Sequence, residues 1–236
     1  MTIYRWCRDG SLPCMKLGKA WRIRREGLVE FLESRERPAT LTGRLRSFLE
    51  VPDNVIAVAQ RPELMHRLDA AFFRVGEAHG GLLVKYHAGD GSGEISGGDL
   101  ERLRDELEAH DLSARSLEDE GRMRFLADAD VPKHRPEELR RLLEDEAREA
   151  IGNGRSVWVA FNWEERVDLE AALEQQRALT ELVGDSRLVV KTSVLESIAD
   201  EWTTATWREA QAAHSGAIWL SEGGLTSSRV SPVPED

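Results

Sequence analysis

The chain has 236 residues, 41% of them hydrophobic and 32% charged, with 32 Lys and Arg against 43 Asp and Glu and a net charge of −11. The charges are spread along helix faces rather than run together, which excludes a disordered composition. No apolar run reaches the roughly 18 residues that cross a bilayer, and no cationic stretch with an apolar core opens the chain, so nothing suggests export and a soluble cytoplasmic protein is expected.

The charge is unevenly placed. Residues 1–46 hold 11 Lys and Arg against 5 Asp and Glu, a net of +6, while the remainder carries −17. A basic head suits contact with phosphate, and an acidic body repels nucleic acid. Cys7 and Cys14 are the only cysteines. With no third Cys and no His nearby they lack the partners for zinc. They are expected as two small half-buried residues rather than a disulfide framework.

In chain order, Thr2 to Asp9 predicts a short helix with Ile3 and Trp6 on one face, broken by Gly10-Ser11-Leu12-Pro13. Cys14 to Leu17 and Ala20 to Ile23 predict a hairpin around Gly18-Lys19. Glu26 to Arg35 returns to helical spacing through Leu28, Phe31 and Leu32. Glu36 to Thr42 is a polar joint, and Arg44 to Leu49 a short helix beyond it.

Strand and helix then alternate. Strands are predicted at Asn54–Ala59, Gly81–His87, Val157–Phe161, Leu188–Thr192 and Ala217–Leu220, with short candidates at Ser113–Leu117 and Met123–Ala127. Helices are predicted at Pro62–Ala78, Asp99–His110, Pro136–Ile151, Asp168–Val183, Ser193–Ala199 and Thr204–His214. The strands are apolar on both faces, which implies an α/β fold: a mostly parallel sheet flanked by helices, of the RecA or Rossmann kind. The domains expected are 1–36, 44–221 and a flexible tail over 222–236, rich in Gly, Ser and Pro.

Duplex contact needs a short helix in the major groove and cations against the phosphates beside it. Arg5 and Arg8 share a helix face, and Lys16, Lys19, Arg22, Arg24 and Arg25 spread over the hairpin and its exit, with Trp21 as an anchor. The ordered run Thr2-Ile3-Tyr4-Arg5-Trp6, Asp9-Gly10-Ser11-Leu12-Pro13, Lys16 to Arg25 and Leu28-Val29-Glu30-Phe31-Leu32 resembles the excisionase/MerR-type winged helix-turn-helix. The resemblance implies that Thr2, Tyr4, Arg5 and Arg8 face the groove, and that Lys16, Lys19, Arg22 and Arg24 ride the wing near phosphates. Gly27 stands where the family has an acidic residue. The family also has a helix before the recognition helix, where this sequence has Met1 alone. The segment is therefore expected to lack its first helix, either because Met1 is an internal methionine of a longer product, the preferred reading, or because the head is degenerate and a partner chain or the second domain covers its bare face.

Ligands of parallel sheets bind at the carboxyl ends of the strands. Those ends carry Lys85, Tyr86 and His87, then Asn162 and Trp163, then Lys191 and Thr192. The candidate ligand-binding set is Lys85, His87, Asn162, Trp163, Lys191 and Thr192. The loop Gly89-Asp90-Gly91-Ser92-Gly93-Glu94 lacks the Gly-Lys-Ser/Thr of a phosphate loop and the third glycine of a dinucleotide fingerprint. As a calcium loop it would begin on Ala88, so a flexible surface loop is expected instead.

No HExxH motif or Gly-x-Ser-x-Gly elbow occurs, and no enzyme is expected. More loosely the body, from about Arg46 to Leu220, resembles MEDS-type sensory domains, which look like RecA folds without the phosphate loop. That rests on the βα order, on Pro136-Glu137-Glu138-Leu139, on Gly154 to Trp163, and on the last strands with His214.

The function expected is a DNA-binding transcription regulator with an α/β sensory domain for a small molecule or a protein partner. Double-stranded DNA, a small-molecule effector and a second copy of the chain are the partners expected, with no membrane and no metal. The cofactor is unknown. The alternative is an enzyme or nucleotide-binding switch of RecA-like fold with a vestigial head.

Overall fold

Six apolar segments of the body run as parallel strands, each able to bury both faces because helices cover both. The computed structural model describes residues 7, 12, 14–17, 20–25, 40–88, 95–128, 137, 139–141, 144–145, 155–163, 169–184 and 187–229. Among them the chain divides into two compact units, Met1–Arg44 and Leu45–Asp236.

In the first unit, β1 (Cys14–Leu17) and β2 (Ala20–Ile23) pair antiparallel, with Lys16 opposite Trp21 and Met15 opposite Arg22. This is the expected hairpin. Alternation along the strands turns Cys14, Trp21 and Ile23 onto Cys7 and Leu12, a small apolar cluster. Cys7 and Cys14 form a disulfide, which corrects the expectation of two unlinked thiols. The alternation that buries Cys14 on the hairpin's apolar face brings it onto Cys7, close enough to pair. Of the expected helices, Thr2–Asp9 is described only at Cys7, which is helical, and Glu26–Arg35 lies outside the described residues, with Arg25 just before it helical.

In chain order the other described elements are α1 (Leu41–Phe48), β3 (Asp53–Ala59), α2 (Pro62–Ala78), β4 (Leu82–Ala88), α3 (Gly97–Glu108), α4 (Ala114–Asp119), β5 (Met123–Asp128), β6 (Val157–Trp163), α5 (Leu169–Gly184), β7 (Leu188–Leu195), α6 (Glu196–Ala199), α7 (Thr204–Ala212), β8 (Gly216–Ser221) and β9 (Gly224–Arg229). They build one seven-stranded sheet in the order β5-β4-β6-β7-β3-β8-β9, parallel except for β9. The amphipathic run Pro136–Ile151 is described only at 137, 139–141 and 144–145, all helical.

The strand order dictates which helices share a face. From β3 the chain steps outward to β4 and then β5, so right-handed crossovers carry α2, α3 and α4 over one face. After β5 it steps back through β6 and β7 to β8, which carries α5, α6 and α7 over the other. On this second face Tyr86, Val159, Phe161, Leu179, Val183 and Val190 share one core cluster, with Leu139.

The first face is built around Trp158. Its ring lies against Phe72 of α2, centroid to centroid 5.3 Å, and its Nε1 donates to Ser156 Oγ at 2.9 Å. A Cβ on Gly76 would fall 2.6 Å from Trp158 Cγ, so only glycine lets α2 lie this close to β6. Ser96 caps α3 by accepting from Asp99 N, and Thr203 caps α7 by accepting from Thr206 N.

Three expectations are corrected. Ser113–Leu117 is not a strand. Ala114 and Leu117 lie one helical turn apart and bury themselves within α4. Ser193–Leu195 continues β7, and only Glu196–Ala199 is helical. The tail expected over 222–236 contains β9, whose Leu225 is buried opposite Leu220. Arg229 at its end donates to both carboxylate oxygens of buried Asp53, at 2.8 and 3.0 Å, and stacks 4.4 Å from the ring of Phe48. No helix among the described residues is long and apolar enough to cross a membrane.

Candidate functional site

Strand alternation decides how the six candidate ligand residues fall. Lys85, Ala160 and Lys191 are paired across β4, β6 and β7, so they point to one face. Asn162 and Ser193 are paired two residues further toward the carboxyl ends, on that same face, as is His87 two residues beyond Lys85. Thr192 and Trp163 point the opposite way. Thr192 Oγ1 accepts from Gln176 of α5 at 2.9 Å, and Trp163 packs with Val58, Val194, Ala199 and Trp202. The expected single cleft is thereby divided: four of its residues line the α2 face and two the α5 face.

On the α2 face the lysines converge on a residue the sequence reading passed over. Asp69, 1% exposed, projects from the buried side of α2. Lys85 Nζ donates to its Oδ2 at 2.7 Å and Lys191 Nζ to its Oδ1 at 2.5 Å. Asn162 Nδ2 adds a third bond to Oδ2 at 2.9 Å. Lys191 also donates to Ser193 Oγ and lies 5.7 Å from the Phe72 ring centroid. All three charged side chains are buried.

Burial alone would raise the Asp69 carboxyl, but Lys191 and Lys85 outweigh it and hold it below the ordinary carboxylate range. Burial pushes the Lys191 ammonium down, against the pull of Asp69 and with the repulsion of Lys85. The carbonyl Oδ1 of Asn162 is buried without a hydrogen-bond partner among the described residues. The cluster thus offers ammonium donors, one amide carbonyl and a hydroxyl beneath the strand ends. Such groups bind and orient a polar ligand. Among the described residues no three His, Cys, Asp or Glu side chains gather to hold a metal.

The α5 face holds a second buried polar network. Asn54 Nδ2 donates to Thr180 Oγ1 at 2.8 Å and to Ala213 O at 3.2 Å, and Gln176 reaches Thr192. His214 Nδ1 lies 2.6 Å from Ala210 O, and burial pushes its imidazole down to about 4, so the ring is neutral at pH 7.

The β3–α2 turn is the place where a sheet of this kind would cradle a phosphate. Here it is Gln60-Arg61, with Pro62 opening the helix and Glu63 in its first turn. Pro62 removes one helix N–H, and Glu63 repels an anion. Arg61 is turned onto Glu222 at 2.8 Å. The Gly-rich loop 89–94 lies outside the described residues.

Of the DNA-facing candidates, Lys16, Arg22 and Arg24 are described, and all are exposed. Lys16 lies 5.9 Å over the Trp21 ring, on the hairpin face that carries the apolar cluster. Arg22 is paired with exposed Met15 and projects from the opposite face. The hairpin therefore presents cations on both faces. Thr2, Tyr4, Arg5, Arg8 and Lys19 lie outside the described residues.

Residues 1–36 match the family model of a helix-turn-helix domain. No curated protein matches the sequence. Among solved structures the chain is similar to an ATPase domain, at 12% identity over 83% of this chain and 81% of that one, with a TM-score of 0.49. It is similar to PH0250 of Pyrococcus horikoshii OT3, at 8% identity over 80% of this chain and 92% of that one, with a TM-score of 0.51. It is also similar to the KaiC-like protein PH0186 of the same archaeon, at 12% identity over 76% and 77%, with a TM-score of 0.47. The likeness to PH0250 bears on fold alone. Together with the strand order it places the body in the expected class, an α/β fold with a mostly parallel sheet flanked by helices, and residues 1–36 form a helix-turn-helix region.

Proposed function

We propose that the chain is a DNA-binding transcription regulator, and that its acidic α/β body is a non-catalytic sensor of the MEDS-like kind. The helix-turn-helix match over residues 1–36 carries the DNA-binding part. Exposed Lys16, Arg22 and Arg24 support it, because in a chain of net charge −11 a basic hairpin is the surface that meets phosphate. The head reads one half-site, so the regulator works as a homodimer in the cytoplasm.

The sensor reading of the body is supported by what stands at the strand ends. A nucleotide-binding switch needs backbone N–H groups and a lysine around the phosphates. The Gln60-Arg61-Pro62-Glu63 turn supplies a proline, a carboxylate and an arginine already paired with Glu222. The polar groups lie instead on Lys85, Asn162 and Lys191, whose ammonium and amide groups suit a small polar molecule.

Fluorescence anisotropy of the full chain on labelled duplexes tests the reading. Affinity is expected to fall steeply with salt and to change when a metabolite is added. Salt-independent binding overturns the DNA-reading part. ATP turnover by the same preparation overturns the non-catalytic sensor.

A further inference from the structure

The buried cluster beneath β4, β6 and β7 is unbalanced in two respects. Two ammoniums share one carboxylate, with all three groups out of water. Their hydrogen bonds are also unevenly distributed. Lys191 has Asp69, Ser193 and the Phe72 ring. Lys85 has Asp69 as its one partner among the described residues, although an ammonium carries three N–H donors. Asn162 gives an N–H to Asp69, yet its carbonyl is buried and unpartnered among the described residues. The residue between the two lysines across the sheet is Ala160, so no bulky side chain separates them.

Each imbalance specifies a chemistry. A surplus buried positive charge is relieved by one negative charge. Unused ammonium donors need an acceptor, and an orphan buried carbonyl needs a donor. A small monoanion with a hydroxyl beside its charged group meets all three needs.

We propose that Lys85, Asn162 and Lys191 form the floor of a binding site for a small hydroxycarboxylate. The inference rests on the reading of the body as a ligand sensor. The ligand enters from the carboxyl ends of the strands, where Asn162 and His87 are half-buried. Its carboxylate accepts from Lys85 Nζ and its hydroxyl donates to Asn162 Oδ1, while Asp69 keeps its bond to Lys191. Polyanions are disfavoured because the surplus is a single charge.

Isothermal titration of the full chain at fixed ionic strength tests this with glycolate and acetate, which differ by the hydroxyl. Wild-type protein is expected to bind glycolate saturably and about tenfold more tightly than acetate. Lys85→Met is expected to lose both acids. Asn162→Leu is expected to bind the two equally. Absence of saturable glycolate binding overturns the proposal, because the cluster then balances itself by releasing a proton. Equal binding of the two acids by wild-type protein overturns it as well. The glycolate-to-acetate ratio needs only wild-type protein, so a variant that fails to fold leaves the test intact. DNA affinity measured in parallel separates the two readings. A response to a neutral metabolite without glycolate binding overturns this site and keeps the sensor, whereas glycolate binding that leaves DNA affinity unchanged keeps the site and overturns the sensor.

Discussion

Gly76 and Trp158 are in contact with no space between them: a Cβ on Gly76 would lie 2.6 Å from Trp158 Cγ, and 2.8 Å from Leu83 Cδ2. Helix α2 is therefore seated on the sheet at a depth that one methyl group would change. Gly76→Ala is expected to destabilise the body by about 1–3 kcal/mol through overpacking. Urea denaturation measures the loss, and near-UV circular dichroism reports the displaced indole. An unchanged midpoint would show that α2 shifts freely.

Asp69 is the counter-charge that two buried lysines share. Asp69→Asn leaves both ammoniums without a counter-charge, and a cost of about 3–5 kcal/mol is expected. The carboxyl is held below its ordinary range, so its contribution is complete above the unfolded-state value. It is lost as pH falls through the folded-state value, below about pH 4. Acid denaturation of wild type and variant side by side checks both statements, since the variant lacks that limb of the pH profile.

His214 acts in the same direction but for a different reason, the burial of a neutral ring. Burial holds its imidazole at about 4, against 6.5 for the free group. Between those values the unfolded chain takes up a proton that the folded chain refuses. Stability is thus expected to fall as pH drops from 6.5 to 4, by about 3 kcal/mol in total, and to be untouched by this residue above pH 7. Proton NMR of the ring titration measures the value directly, and His214→Leu flattens the slope in that window.

Arg229 holds the sheet closed at its antiparallel end. It donates twice to Asp53, whose side chain is 1% exposed. Arg229→Ala is expected to cost about 1–3 kcal/mol, because a buried carboxylate loses its cation. Deleting residues 224–236 should cost more. Thermal melts of both variants check this, and a deletion as stable as wild type would return the segment to the status of a tail.

On the wing, Arg22→Ala is expected to weaken binding to all duplexes alike and to lower the slope of log affinity against log salt by about 1. Loss of preference among sequences, without a change in slope, would make Arg22 a base reader instead.

Much of the frame was legible because it follows from apolar runs. Val55 to Val58 and Leu82 to Val84 have no reading other than buried strands once helical runs separate them. The hairpin Cys14–Ile23 was legible from its Gly-Lys turn. The errors have local causes. In β9 the run Thr226-Ser227-Ser228 is polar, and only Leu225 is buried, so the strand carries no alternation to read. Six residues of α4 are too few for the helical period to stand apart from a strand's.

The site was half legible. Lys85 and Lys191 were marked as strand-end residues, but each also stands alone in an apolar strand, and a buried lysine requires a carboxylate nearby. That requirement pointed to Asp69, which escaped notice because a charge between Leu68 and Phe72 looks like the wet side of an amphipathic helix. Helix α2 is buried from Leu64 to Gly76 on more than one face, and a stripe that wide has no wet side at position 69.

Lys191 and Thr192 were grouped as one site and belong to two. One side chain is anchored to Asp69 in front of the sheet, the other to Gln176 of α5 behind it. The peptide bond between them is shared by both layers. A pull on Lys191 is also a pull on Thr192, so the sheet does not insulate α5 from an event on the α2 side. It acts as a diaphragm one residue thick, with a hydrogen-bonded handle on each surface.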